Sequence, residues 1–138
     1  MKILIIGALA LCCVSMIWSC QSEGQLEFAR YYSSGMAIYQ SKCQNCHGDK
    51  GEGLQSLIPP LTDSAFLRSN KAALACVVKY GTNKTLTVTG RDFDGKMKDV
   101  DMPSVEIAEV LTYITNSFGN KMGTITSDQV SKYLADCK

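Results

Sequence analysis

A chain of 138 residues with 14 Lys and Arg against 13 Asp and Glu carries a formal charge of +1. No net field therefore draws it to nucleic acid or to a strongly charged surface. Seven cysteines and a single histidine exclude any site that needs two histidines from one chain.

Residues 1–20, MKILIIGALALCCVSMIWSC, hold one charge, Lys2, followed by an apolar run and small residues near its end. That is the layout of a secretory signal, assigned to residues 1–19. As a membrane helix it is borderline, since spanning takes about 20 apolar residues. Ile17-Trp18-Ser19-Cys20 resembles a bacterial lipobox, with an aliphatic residue three before the cysteine and a small one next to it. The resemblance implies cleavage before Cys20 and acylation of that residue, hence a lipid anchor to a membrane. Each buried acyl methylene contributes about 0.8 kcal/mol to anchoring. Ordinary cleavage near Ser19 or Cys20, and an uncleaved anchor, are the alternatives. Without the signal about 119 residues remain, within the range of one small domain. Lys2 leaves with it, so thirteen basic residues balance thirteen acidic ones.

Residues 21–26, QSEGQL, read as a short polar tether. A helical pattern follows over about 27–42, with Phe28, Tyr31, Tyr32, Met36, Ile38 and Tyr39 as its large apolar members. Glycines and Pro59-Pro60 make residues 48–62 a loop. Asp63 and Ser64 can cap a short helix over 65–68, and KAALACVVK, 71–79, forms another that stops at Gly81. TLTVTGRDFDG, 85–95, alternates around Gly90 as a small hairpin. Pro103 opens a helix with an apolar stripe through Val105, Ala108, Leu111 and Ile114, which Gly119 ends. A last helix starts near Ser127. Ordering so much loop costs on the order of 1–2 kcal/mol per residue, so a large bound group is expected to supply apolar surface.

The stretch KCQNCHGDKGEG, 42–53, identifies that group. CxxC followed at once by His is the attachment signature of c-type haem. Cys43 and Cys46 lie one helical turn apart, as two thioethers to the haem vinyl groups require, and His47 projects to the iron as proximal ligand. A zinc site would want four ligands, commonly from two pairs, whereas Cys76 and Cys137 are single. A thioredoxin-like pair would open a helix after a strand, whereas this one ends a helix. A plain Cys43–Cys46 disulfide is the third alternative.

Gly35 and Tyr39 ahead of CQNCHGDKGEG, then Pro59-Pro60-Leu61 and EIAEVLTYITNSFGN, resemble class I cytochrome c over about residues 34–120. The resemblance implies a small all-α fold of about four to five short helices and long loops around one covalent haem c. The haem domain would occupy 33–120, after a tether and helix start at 20–32 and before a C-terminal extension with a short helix at 121–138. The first and last core helices would cross tightly, with Gly35 and Tyr39 meeting Val110 and Tyr113; glycine allows close backbone approach. With His47 used, the resemblance implies a methionine as second iron ligand. The frame DFDGKMKDVDMPSVEIA matches the family with Met97 as ligand and Met102 packed at the helix start; Met102 is the alternative. Pro59 would offer its carbonyl to His47 Nδ1. Tyr80, Lys84 and Arg91 are candidates for the haem propionates.

The implied function is transfer of single electrons between a donor and an acceptor protein in the periplasm or at the membrane surface. The chain itself would be no enzyme, and would be a monomer or a subunit of a complex. Lys42, Lys50, Lys96 and Lys98 could form a docking patch or be scattered solvated charges. The alternatives are a fixed haem-c subunit of a respiratory oxidase, reductase or dehydrogenase, and an open-iron ligand sensor or weak peroxidase. Cys76 is expected to pack within its apolar helix, and a disulfide to Cys137 stays open.

Overall fold

The structure, a computed structural model, describes residues 22–137. The signal segment and Cys20 lie outside the described residues. Helix α1, Glu23–Lys42, begins four residues earlier than its apolar pattern. Ser22 is extended, Glu23 places negative charge in the first turn, and Gln25, Leu26 and Glu27 are good helix formers. Residues 23–26 are therefore helix rather than tether. After a break at Cys43 comes α2, Gln44–His47, a single turn. Helix α3, Ser64–Ser69, is capped by Asp63, whose Oδ1 accepts from the Ala65 and Phe66 amides at 3.0 Å each.

Helix α4, Lys71–Tyr80, ends at Gly81. Strands β1, Leu86–Val88, and β2, Arg91–Phe93, pair antiparallel, with Leu86 opposite Phe93 and Val88 opposite Arg91. The two-residue turn Thr89-Gly90 has both φ values positive, as the twist of a tight hairpin favours. Helix α5, Ser104–Ile114, follows Pro103 and stops well short of Gly119. Thr115 Oγ1 and Asn116 Nδ2 there take the Leu111 and Thr112 carbonyls, at 2.7 and 2.8 Å. Helix α6, Ser127–Ala135, starts with a reciprocal cap between Thr126 and Gln129. Among the described residues this is an all-α fold of six helical segments and one hairpin, and no helix is long and apolar enough to cross a membrane.

The core sits where α1 crosses α5. A Cβ on Gly35 would collide with the Glu109 carbonyl and lie 2.9 Å from Tyr113 Cβ, so the close approach is to Glu109 and Tyr113 rather than to Val110. Tyr39 stacks 5.3 Å from both Tyr113 and Phe118, ring centroid to centroid. The C-terminal extension is folded back on this core. Ile125 and Val130 are buried, and Thr112 Oγ1 both accepts from Ile125 N at 2.9 Å and donates to Ile125 O at 3.1 Å. Cys76 is not simply buried in α4: it is joined to Cys137 by a disulfide, across 61 positions of sequence. The docked extension brings the two Cα atoms to 5.7 Å, within bridging range.

Candidate haem-binding site

Cys43 stands at the break between α1 and α2, half-buried, and Cys46 is exposed one turn on; neither is in a disulfide. Burial pushes the Cys43 thiol up to about 11, against the lowering effect of Lys42. Both sulfurs are thus uncommitted, while the other described pair is already bonded.

The loop after His47 folds back over it. Gly53 N donates to the His47 carbonyl at 2.9 Å, and Leu61 N to the Gly51 carbonyl at 2.7 Å. A Cβ on Gly53 would strike the Ile58 carbonyl, so only glycine lets the two sides of this loop close. Closure brings the Pro59 carbonyl to 3.4 Å from His47 Nδ1, a long hydrogen bond. With Nδ1 donating, Nε2 carries the lone pair available to a metal. Burial lowers the His47 pKa, and the Pro59 bond partly offsets this, so a neutral, ligating imidazole is favoured. Tyr39 Oη donates to the Gly48 carbonyl at 2.6 Å and ties the whole turn to α1.

The two methionines part company. Met102 is 1 % exposed and packed in the central apolar cluster. Met97 is only partly covered, on an extended segment that pairs with Thr82: each backbone N–H donates to the other's carbonyl at 2.9 Å. Lys96 and Lys98 flank it, exposed, as are Lys42 and Lys50 near the cysteines. Tyr80, Lys84 and Arg91 are also exposed, and nothing brings the three together. The pairing of Met97 with the end of α4 leaves no mark in the sequence, where Gly81 reads only as a helix stop.

These residues fit a covalently attached haem. Two free thiols, an imidazole with its Nδ1 engaged and a partly uncovered thioether are the donors that such a group needs. Leu54 and Leu57, 50 % and 60 % exposed in the loop over His47, offer apolar surface for a large apolar cofactor.

Comparison with known proteins agrees. The family model described as cytochrome c oxidase, cbb3-type, subunit III matches residues 31–132. Cytochrome c-552 of Thermus thermophilus is 28% identical over 93 residues, 64% of this chain and 70% of that protein. A second cytochrome c-552, from another strain of Thermus thermophilus, has the same identity over 62% of its length. The cytochrome c subunit of a quinone alcohol dehydrogenase from Gluconacetobacter polyoxogenes is 28% identical over 103 residues, 71% of this chain and 22% of that longer protein. The chain belongs to the c-type cytochrome family of the cbb3-type subunit III model, and its cofactor is covalently bound haem c.

Proposed function

We propose that the protein is an exported, single-haem electron carrier, held at the outer surface of a membrane by acylation of Cys20. Cys43 and Cys46 form the thioethers, His47 Nε2 is the proximal ligand and Met97 Sδ the distal one. The observation that carries this is the contrast between the methionines: Met102 is spent in core packing, whereas Met97 keeps part of its side chain open.

The bound haem supplies a one-electron ferrous–ferric couple. The Pro59 carbonyl holds the His47 ring and increases the basicity of Nε2. A neutral thioether at Met97 opposite the imidazole raises the potential and leaves no position for a substrate. One electron enters from a donor protein and leaves to an acceptor, with no bond made or broken in the chain. Contacts with both partners are small and transient, with Lys42, Lys50, Lys96 and Lys98 as candidate docking charges.

A second reading is a haem-c subunit fixed in a larger oxidoreductase. The similarity to an alcohol dehydrogenase cytochrome subunit and the docked C-terminal extension favour it. Co-purification of a stoichiometric partner enzyme from membranes would select it.

The test is spectroscopic. The full chain, expressed with haem-maturation machinery, is compared with Met97→Ala and Met102→Ala. The ferric sulfur-to-iron charge-transfer band is expected to vanish in Met97→Ala and persist in Met102→Ala. The reverse result overturns the ligand assignment, and a wild type without covalent haem overturns the function. Cys20→Ser is expected to abolish incorporation of radiolabelled fatty acid and release the protein from membranes.

A further inference from the structure

Helix α4 ends at Tyr80, and Gly81, at φ +72°, turns the chain so that residues 81 and 82 run beside the Met97 segment. The two are in unusually close contact. A Cβ on Gly81 would collide with the Met97 carbonyl oxygen, and would lie 2.8 Å from the Asp99 amide nitrogen and 3.0 Å from the Lys98 carbonyl carbon. All three obstacles are backbone, which cannot rotate aside as a side-chain tip can. The same segment is held further along: Val100 N donates to the Val78 carbonyl at 3.2 Å, and Lys79 Nζ to the Met102 carbonyl at 3.0 Å. The last turn of α4 thus grips residues 97–102 at both ends.

We propose that Gly81, together with the backbone of Thr82, is a positioning residue for the distal thioether. This rests on Met97 as the ligand. A ligating side chain must be held to within roughly 0.5 Å of its productive place. Moving the Met97 carbonyl out to ordinary contact with an added methyl takes roughly 1 Å, since carbon contacts settle near 3.5 Å. The displaced peptide is that of the ligand itself, so the shift reaches the thioether directly. The required emptiness at Gly81 is thus matched to the backbone of Met97 and its two successors, through a contact that no helix-stop role requires.

Gly90 supplies the control. Its φ is also +72°, yet nothing lies within 4 Å of its Cβ position. Gly90→Ala carries the backbone strain of a positive φ without the obstruction.

The experiment compares wild-type holoprotein with Gly81→Ala, Gly90→Ala and Met97→Ala. Covalent haem content, the ferric sulfur-to-iron band, the midpoint potential and carbon monoxide binding to the ferrous form are measured. Gly81→Ala is expected to keep its covalent haem, lose most of the band and bind carbon monoxide as Met97→Ala does. Gly90→Ala is expected to keep the band. A Gly81→Ala protein with the full band and the wild-type potential overturns the proposal, as does loss of the band in Gly90→Ala as well. A band that survives in Met97→Ala overturns the ligand assignment instead, so the two failures are distinguishable. Should Gly81→Ala not accumulate, amide exchange on ferrous wild type decides. The Thr82 and Met97 amides are expected to be protected, and free exchange with the thioether still bound overturns the seat.

Discussion

The back of the molecule and its ligand-bearing side are built on different principles. Helices α1, α5 and α6 bury Tyr39, Ile107, Leu111, Ile125 and Val130 against one another. Side chains such as Thr112 and Asn116 close the remaining polar backbone groups. The ligand side, residues 48–62 and 81–102, leaves Leu54 and Leu57 half open and is held largely by backbone bonds. One region completes itself; the other is completed by its cofactor. A rigid back then gives the loops a fixed frame from which to present donors to the iron.

The comparison breaks most visibly if the haem is withheld. In Cys43→Ala/Cys46→Ala protein without haem, amide protection is expected to collapse over 48–62 and 81–102 and to persist in α1 and α5. A ligand at a thousandfold excess over its Kd contributes about 4 kcal/mol, and a covalent one at least as much. Uniform loss of protection would erase the distinction.

Removing the disulfide, as Cys76→Ser/Cys137→Ser, is expected to cost about 2–4 kcal/mol in urea unfolding, given the long loop it closes. Helix α6 should lose protection first. Gly35→Val tests the back alone: its added carbons meet the Glu109 carbonyl, and a loss of about 2–3 kcal/mol is expected by thermal unfolding. A loss below about 1 kcal/mol would mean that the crossing yields, and is not the rigid frame.

The smallest effect belongs to Asp63, which links the two regions at the surface. The Phe66 amide holds its carboxyl below the usual carboxylate range, with help from the Thr89 and Ala65 amides. Its folded pKa is depressed, so its contribution is present above the unfolded value of about 3.9 and is lost as pH falls through the folded value. Asp63→Ala is expected to cost about 1 kcal/mol at neutral pH, and Asp63→Asn to flatten the stability curve below about pH 4. Chemical denaturation at stepped pH measures both.

Local chemistry made much of this legible in advance. The CxxCH turn, the Asp63 cap, the Gly90 hairpin and the apolar stripe of α5 each depend on residues near in sequence. The nearness of Pro59 to His47 was expected from a family pattern, and the two atoms do lie 3.4 Å apart. What escaped depends on distant partners. Cys137 finds Cys76 only because Thr112, Ile125 and Val130 dock the extension first. Gly81 looks like any helix stop until the Met97 segment lies against it. The early start of α1 escaped for a different reason: its first turns bury no side chain, so no apolar period marks them.

The disulfide has a topological consequence. Residues 76 to 137 form a closed ring of chain that contains the hairpin, Met97, α5 and α6, while the CxxCH turn lies on the arm outside it. A single proteolytic nick at the exposed Thr89-Gly90 tip would open the ring without releasing a fragment. Every piece would stay covalently joined to the arm that bears Cys43 and Cys46. Damage at the most accessible point would therefore be invisible on a non-reducing gel and appear only after reduction.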